Sequence, residues 1–576
     1  MGHPPLRHLA LATVAMAATL LAACGGGEAT PTAPAPSPTA TRPPAPSPTA
    51  TRVPPTPTPA PGQVPTPITL QGQRGGTLQL RSLFQTPVWD TYEQRGRLDY
   101  HTLGPMLNNL IWVDPYGDGK TVVGDTAESW EIGAAGATIT FRLRRGIKYH
   151  DGAPFTSKDA AYNLDRAWKP RTTTMNVFQA KFRAVQAIET PDDYTVRLTL
   201  AQPSNAFLQA LTLSGFMMYP SHVPLPDRLD QYKQAPLGTG PYRFKSLELD
   251  NKTEYVRSAD YFRAGLPYLD AIVINNIPAN EAGVAAFRAG RVDATNLDST
   301  SVEDQTEDLR RSHGFVAQPV IAGYYVFALD QKPPFTDRRV REALDLALSR
   351  QTIVDLWLKG RGTPYAAPVL PAEMGGALGQ STDVLKARPG YREDKTQDMA
   401  RARALLVEAG VDPSRVTINM VGTTTWPTPT EVAESNFSAL GFKTKVEILT
   451  SGVATQRRLA RQFDVSGPET AAFTGDEPAD YLGPFVLSTG GQNYSKWSNA
   501  ELDRLFAEQD RAVDASARRQ LLAQLQTLVL DDRVILPGVW RRTFVGRMGW
   551  VRNFPPNLIA VHSPWFRWEQ VWLERR

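Results

Sequence analysis

Along the middle of the chain, hydrophobic and polar positions follow two rhythms. Thr138-Ile139-Thr140-Phe141-Arg142-Leu143 alternates residue by residue, as a half-buried strand does, and Gly146 and Asp151-Gly152 mark turns after it. Residues 194–200 alternate in the same way, and apolar runs at 75–81, 271–275, 324–329 and 416–421 predict further strands. Residues 107–112 read as a helix end or a buried segment. The helical rhythm appears between these runs. Thr156 caps a helix entering at Ala160, Pro203-Ser204-Asn205 opens a short one, and residues 399–409 form one stopped by Gly410. Val340, Leu344 and Leu348 stand at helical spacing, with the neighbouring arginines expected on a solvated face. A strand at 271–275, a helix ending near Gly290 and a short strand at 291–294 make a unit of the kind that builds open α/β lobes, and 440–448 repeats the helix-to-strand step.

The first 74 residues follow neither rhythm. Arg7 precedes an apolar run from Leu9 to Leu21, too short to span a bilayer as a mature helix, and Leu21-Ala22-Ala23-Cys24-Gly25 follows it. Residues 1–23 are therefore expected to be a signal peptide. From Glu28 to Pro67 the chain is mostly Pro, Thr, Ala and Ser, with near-repeats at 36–42 and 46–52. Such a stretch has too little apolar surface to bury, so residues 24–74 are expected to form an extended tether. At about 3.1 Å per residue in a polyproline conformation, it reaches on the order of 100 Å.

Composition removes several classes of function. The 576 residues suffice for two or three lobes, and the formal net charge of +4 comes from interspersed signs, not a basic stripe, which argues against nucleic-acid binding. One cysteine allows no internal disulfide, thiolate zinc site or iron–sulfur cluster. Gly119-Lys120-Thr121 has the ending of a phosphate loop, but Asp114 occupies the place of its first glycine and would repel phosphate. The seven histidines form no HExxH run, there is no GxSxG elbow, and His150 beside Asp151-Gly152 reads as a turn residue. No catalytic constellation, metal site or cofactor site is expected.

Several runs in order resemble one family. Ala127-Glu128-Ser129-Trp130-Glu131 leads into Phe141-Arg142-Leu143-Arg144-Arg145-Gly146-Ile147-Lys148-Tyr149-His150-Asp151-Gly152, followed by Pro154-Phe155-Thr156; Gly238-Thr239-Gly240-Pro241-Tyr242 and Pro333-Pro334-Phe335 through Leu344 come later. Together they resemble the family 5 extracytoplasmic solute-binding proteins of ABC importers, the dipeptide- and oligopeptide-binding group. The end of the signal segment is similar to a bacterial lipobox, which implies lipidation at Cys24. The resemblance implies an α/β, two-lobed periplasmic-binding-protein-like fold of type II, with an extra domain and a ligand cleft between the lobes. The expected division is lobe I at 75–110, the extra domain at 111–235, lobe I again at 236–323, lobe II at 324–537, and a return to lobe I at 538–576.

By the same resemblance, Asp476 in Thr474-Gly475-Asp476 meets the amino terminus of a peptide ligand, with Asp480 as the second candidate. The alternative is a turn aspartate after Gly475. Trp426, in a loop at the carboxyl end of a predicted strand, is either a cleft wall or surface packing. Tyr494 and Trp497 complete the candidate ligand set. The implied role is capture of peptides or another small solute outside the cytoplasmic membrane by a monomer anchored through Cys24, with delivery to a permease and its ATPase subunits. Non-peptide solutes such as nickel chelates or oligosaccharides, a surface hydrolase and a non-transport surface lipoprotein are the alternatives.

Overall fold

The computed structural model describes residues 67, 69–82, 89–92, 103–119, 121–133, 136–169, 179–225, 227–277, 280–297, 303–374, 376, 378–470, 477–512, 514–555 and 567–574. All lie in the unit Pro59–Arg576. The signal segment, Cys24 and most of the tether fall outside them.

An eleven-stranded sheet runs through the described residues. From one edge its strands are Lys443–Leu449, Thr417–Thr423, Val465–Thr470, Val316–Leu329, Ile535–Arg547, Ala294–Leu297, Thr77–Ser82, Ala271–Asn276, Lys252–Arg257 and Tyr242–Glu248, with Gly362–Thr363 paired to the side of Ile535–Arg547. The two long central strands cross from one half of the sheet to the other. The first part of Val316–Leu329 shares Ile535–Arg547 with the short strand Ala294–Leu297 on the other side. Its last part pairs with Val465–Thr470. A register shift between Ile321 and Gly323 separates the two parts.

Buried residues divide along the same line. One core gathers Leu78, Phe141, Phe182, Phe207, Ile272 and Phe315, together with Met548 and Val571 near the carboxyl end. Others gather Phe327, Leu344, Ile418 and Leu536, or Tyr324, Tyr481, Phe506 and Trp540. The first core also takes in a separate four-stranded antiparallel sheet, ordered Ala127–Ile132, Thr138–Leu143, Thr195–Leu200, Val185–Asp192. Ile139, Phe141 and Leu143 point inward from the alternating run, so its period of two is what buries one face. Helix Ser157–Trp168 packs on this sheet with Ala160, Leu164 and Ala167 buried. Asp159 closes its start by accepting the Thr156 amide at 2.9 Å.

Some local readings need correction. The arginines after Pro334 do not all face solvent: Arg341 is buried and donates to the carbonyls of Phe335, Thr336 and Asp532. The strand expected at 291–294 is Ala294–Leu297, because the chain turns after helix Asn280–Arg288 before it joins the sheet. Of the two readings of residues 107–112 the buried one holds: 107–110 are buried and lead into the strand Ile111–Val113. That strand pairs with Val122–Gly124, and the false phosphate loop is the turn between them: Asp118 accepts the amide and hydroxyl of Thr121 at 2.7 and 2.8 Å.

Candidate functional site

The strands Thr417–Thr423, Lys443–Leu449 and Val465–Thr470 run parallel, so their carboxyl ends lie on one edge of the sheet. Ligands of open α/β sheets settle at such an edge. Three described segments meet there. The loop after Thr423 is pinned to its neighbour by the Thr424 amide on the Leu449 carbonyl at 2.8 Å and by Thr425 Oγ1 against Ser451 Oγ at 3.3 Å. The strand Val465–Thr470 itself ends at this edge. A third segment, from Gln492 to Trp497, closes on the same edge through Gln492 Nε2, which donates to the Thr470 carbonyl at 3.2 Å.

Trp426 stands at this edge half-buried. Its ring meets Tyr325 edge-on at 5.2 Å and lies 6.2 Å from Trp357. Tyr325 is paired with Thr470 on the sheet, so the aromatic group sits beside the end of the strand Val465–Thr470. Arg541, from the crossing strand Ile535–Arg547, donates to the Tyr325 hydroxyl at 3.4 Å and has its guanidinium 6.0 Å from the Trp357 ring. Tyr325, Trp357 and Arg541 were not among the residues expected here. They come from three distant segments, and no local pattern groups them.

One residue before the end of that strand, Glu469 is buried and ion-paired with buried Arg458. Arg458 Nε also donates to Ser466 Oγ at 2.8 Å, and Ser466 Oγ donates to Glu469 at 2.8 Å. Burial raises the Glu469 carboxyl above its ordinary range even against that guanidinium. Tyr494 is half-buried against Ala328, Val421, Ala454 and Phe463, and burial followed by the nearby Glu469 charge raises its hydroxyl too. The structure thus brings Trp426, Tyr494 and the end of the Thr470 strand to one edge.

The other candidates are placed differently. Asp476 lies outside the described residues. Its neighbours Glu477 and Asp480 both hold basic partners: Glu477 accepts from Arg518 at 2.6 Å, and Asp480 is paired with Lys181. Both carboxylates are buried. Trp497 turns its ring toward the core of Tyr324 and Phe506, and Asn493 ties its main chain with bonds of 2.7 and 3.1 Å. Among the described residues no group of His, Cys, Asp and Glu could hold a metal ion, and no helix is long and apolar enough to cross a membrane.

Comparison with known proteins bears on what such an edge does. The model of the bacterial extracellular solute-binding proteins, family 5, matches residues 121–493. A Brucella ovis protein named for ABC-transporter peptide binding is 32% identical over 304 residues, which is 51% of this chain, and the match spans about half, 53%, of that relative's length. Heme-binding protein A of Haemophilus influenzae is 26% identical over 449 residues, 71% of this chain and 77% of its own. The solved periplasmic binding protein DppA of Helicobacter pylori, in complex with the peptide STSA, superposes with a TM-score of 0.69 at 21% identity, covering 87% of this chain and 99% of its own. The fold is that of these two-lobed periplasmic binding proteins.

Proposed function

Because the chain belongs to family 5 of the bacterial extracellular solute-binding proteins, we propose that it is the substrate-binding component of an ABC importer and that its ligands are di- or oligopeptides. It captures them outside the cytoplasmic membrane and passes them to a permease, while partner subunits hydrolyse ATP. Cys24 carries the lipid that anchors it, and residues 24–74 hold the folded part away from the bilayer. Lobe I comprises 75–110, 236–323 and 538–576, with the extra domain at 111–235 and lobe II at 324–537.

The observation that carries the peptide reading is the edge where the turn after Thr423, the end of the strand Val465–Thr470 and the segment from Gln492 to Trp497 meet. Half-buried aromatic rings at Trp426 and Tyr494 stand near the end of the strand Val465–Thr470 there, offering walls for varied side chains, and a peptide backbone supplies the hydrogen bonds. Peptide-binding relatives support the same reading. Glu477 and Asp480 already have Arg518 and Lys181, so Asp476 is the carboxylate we assign to the ligand ammonium. An ammonium in a closed cleft needs such a partner, since an unpaired buried charge costs several kcal/mol.

A second reading keeps the role and changes the ligand. A relative named for heme binding is 26% identical over 449 residues, and its name supports a non-peptide solute. Native mass spectrometry of the chain purified without refolding separates the two. A ladder of bound masses that fragments into short peptides establishes the first reading, and one discrete non-peptide mass establishes the second. An empty protein that stays empty with a peptide library counts against both.

A further inference from the structure

Away from the crossing strands, the domain of the four-stranded sheet reaches the second lobe at two polar contacts. In the first, Lys181 of the turn Gln179–Ala184 pairs with Asp480 of helix Pro478–Tyr481, with side-chain exposures of 10% and 3%. In the second, Asp510 near the end of helix Ala500–Arg511 accepts the Ala206 amide and the Ser204 hydroxyl, each at 2.7 Å. Asn205 Nδ2 donates to the main-chain carbonyls of Asp510 and Ala512 at 2.8 and 3.0 Å, satisfying groups that a helix end leaves open.

Each contact is mounted on a buried aromatic residue of its own side. Phe182 follows Lys181 and Phe207 follows Ala206; their rings meet at 5.0 Å, so the two contacts share one base in the first core. Opposite, Tyr481 follows Asp480 and Phe506 lies one turn before Asp510, both in another core. Arg518 ties these elements together by donating to Glu477 at 2.6 Å and to Gln509 at 2.9 Å. Apolar packing is therefore kept within each side, while the bonds between the sides are polar. Such bonds exchange for water when the sides part, without baring either core.

We propose that Lys181 with Asp480, and Ser204, Asn205 and Ala206 with Asp510, form a strap by which the four-stranded-sheet domain holds the two lobes shut. The hinge of the crossing strands permits opening, and the strap opposes it. Closure as such is independent of what the cleft binds; the effect on solute release rests on the solute-binding reading. Because the cleft must open for a solute to leave, the strap sets the dissociation rate.

The test is hydrogen exchange and small-angle scattering on the full chain without added solute, comparing the unaltered protein with Asp510→Ala and Lys181→Met. The strap requires slow exchange at Ala206 in the unaltered protein. It also requires exchange about tenfold faster or more at Ala206 in Asp510→Ala, and a larger radius of gyration in both variants. Amides of the strand Thr417–Thr423 serve as the folding control. If they too lose protection in Asp510→Ala, Asn205→Ala, which keeps the carboxylate, decides by the same two readouts. Unchanged Ala206 exchange or an unchanged radius in the folded variants overturns the strap. Neither readout needs a bound solute, so failure of the peptide reading leaves this test standing. With a solute identified, its release from either variant should be about tenfold faster.

Discussion

Arg567 lies over the Trp112 ring with its guanidinium carbon 3.6 Å from the centroid and donates to the buried carboxylate of Asp125. Asp125 also accepts Asn108 Nδ2 at 3.0 Å, the Asn109 amide at 2.8 Å and Arg263 at 3.2 Å, and Arg263 reaches on to buried Glu569 at 3.0 Å. The end of the chain is thus clamped into the first core by two carboxylates and two guanidiniums. Arg567→Met keeps much of the stem but leaves Asp125 a cation short. Breaking a buried pair in this way costs about 3–5 kcal/mol. Urea unfolding should report a loss of that size, and a loss below about 1 kcal/mol would show that the clamp contributes little.

His150 gives the protein an acid sensitivity. Its Nε2 donates to the Gly240 carbonyl at 3.0 Å, its Nδ1 is buried with no hydrogen-bond partner among the described residues, and burial lowers its pKa to about 4. In the unfolded chain the same imidazole titrates near 6.5. Between those values the unfolded state binds more protons, so stability rises with pH across that window and is lost as the pH falls through it. The loss from this group is roughly 2–3 kcal/mol. His150→Gln should flatten that part of a melting-temperature profile between pH 6.5 and 4. Profiles that stay parallel would assign the acid sensitivity to other groups.

The segment around His150 also explains why two glycines flank Thr239. A Cβ on Gly238 would stand 1.9 Å from the Met106 carbonyl oxygen, and one on Gly240 would stand 2.4 Å from the Met106 carbonyl carbon. The Gly240 amide donates to the Met106 carbonyl at 2.7 Å, and Thr239 Oγ1 to Asn108 Oδ1 at 3.0 Å. Both approaches to Met106 are to backbone atoms, which no rotamer can relieve. Gly240→Ala should therefore cost about 3 kcal/mol or more in denaturant unfolding, at or beyond the usual range for overpacking. A neutral substitution would mean that the 105–108 segment yields freely.

How far the sequence foretold these features depended on the range of the interactions. The hairpin of Ala127–Ile132 and Thr138–Leu143 and the helix capped at Thr156 were legible because period and cap are local signals. The strand Val316–Leu329 was legible only from 324 onward. Pro319 and Gly323 read as breaks, and the first part is a strand because it pairs with Ile535–Arg547, more than two hundred residues away. Arg341 misled for the same reason, since the carbonyl of Asp532 that helps to bury it is remote. At the candidate site, what was legible of Trp426 was its place after the strand Thr417–Thr423. Its neighbours Tyr325, Trp357 and Arg541, and the Lys181 that occupies Asp480, were not, because only the folded sheet brings them there.

Asp476 and Asp480 make opposite predictions about one ligand group. Asp480 is occupied by Lys181, so Asp480→Asn should act by loosening the lobes. It should speed release of a free-amine peptide and of its N-acetylated counterpart by the same factor, and adding Lys181→Met should change little further. If Asp476 meets the ligand ammonium, Asp476→Asn should weaken the free-amine peptide by about 2–5 kcal/mol and leave the acetylated one nearly unchanged, because the variant removes one partner of a buried charge pair. Calorimetric titration of both peptides into both variants reads the difference directly. Selective loss of the free-amine peptide in Asp480→Asn would transfer the ammonium to Asp480 and require the ligand to displace Lys181. Equal affinities in Asp476→Asn and the unaltered protein would remove Asp476 from the site.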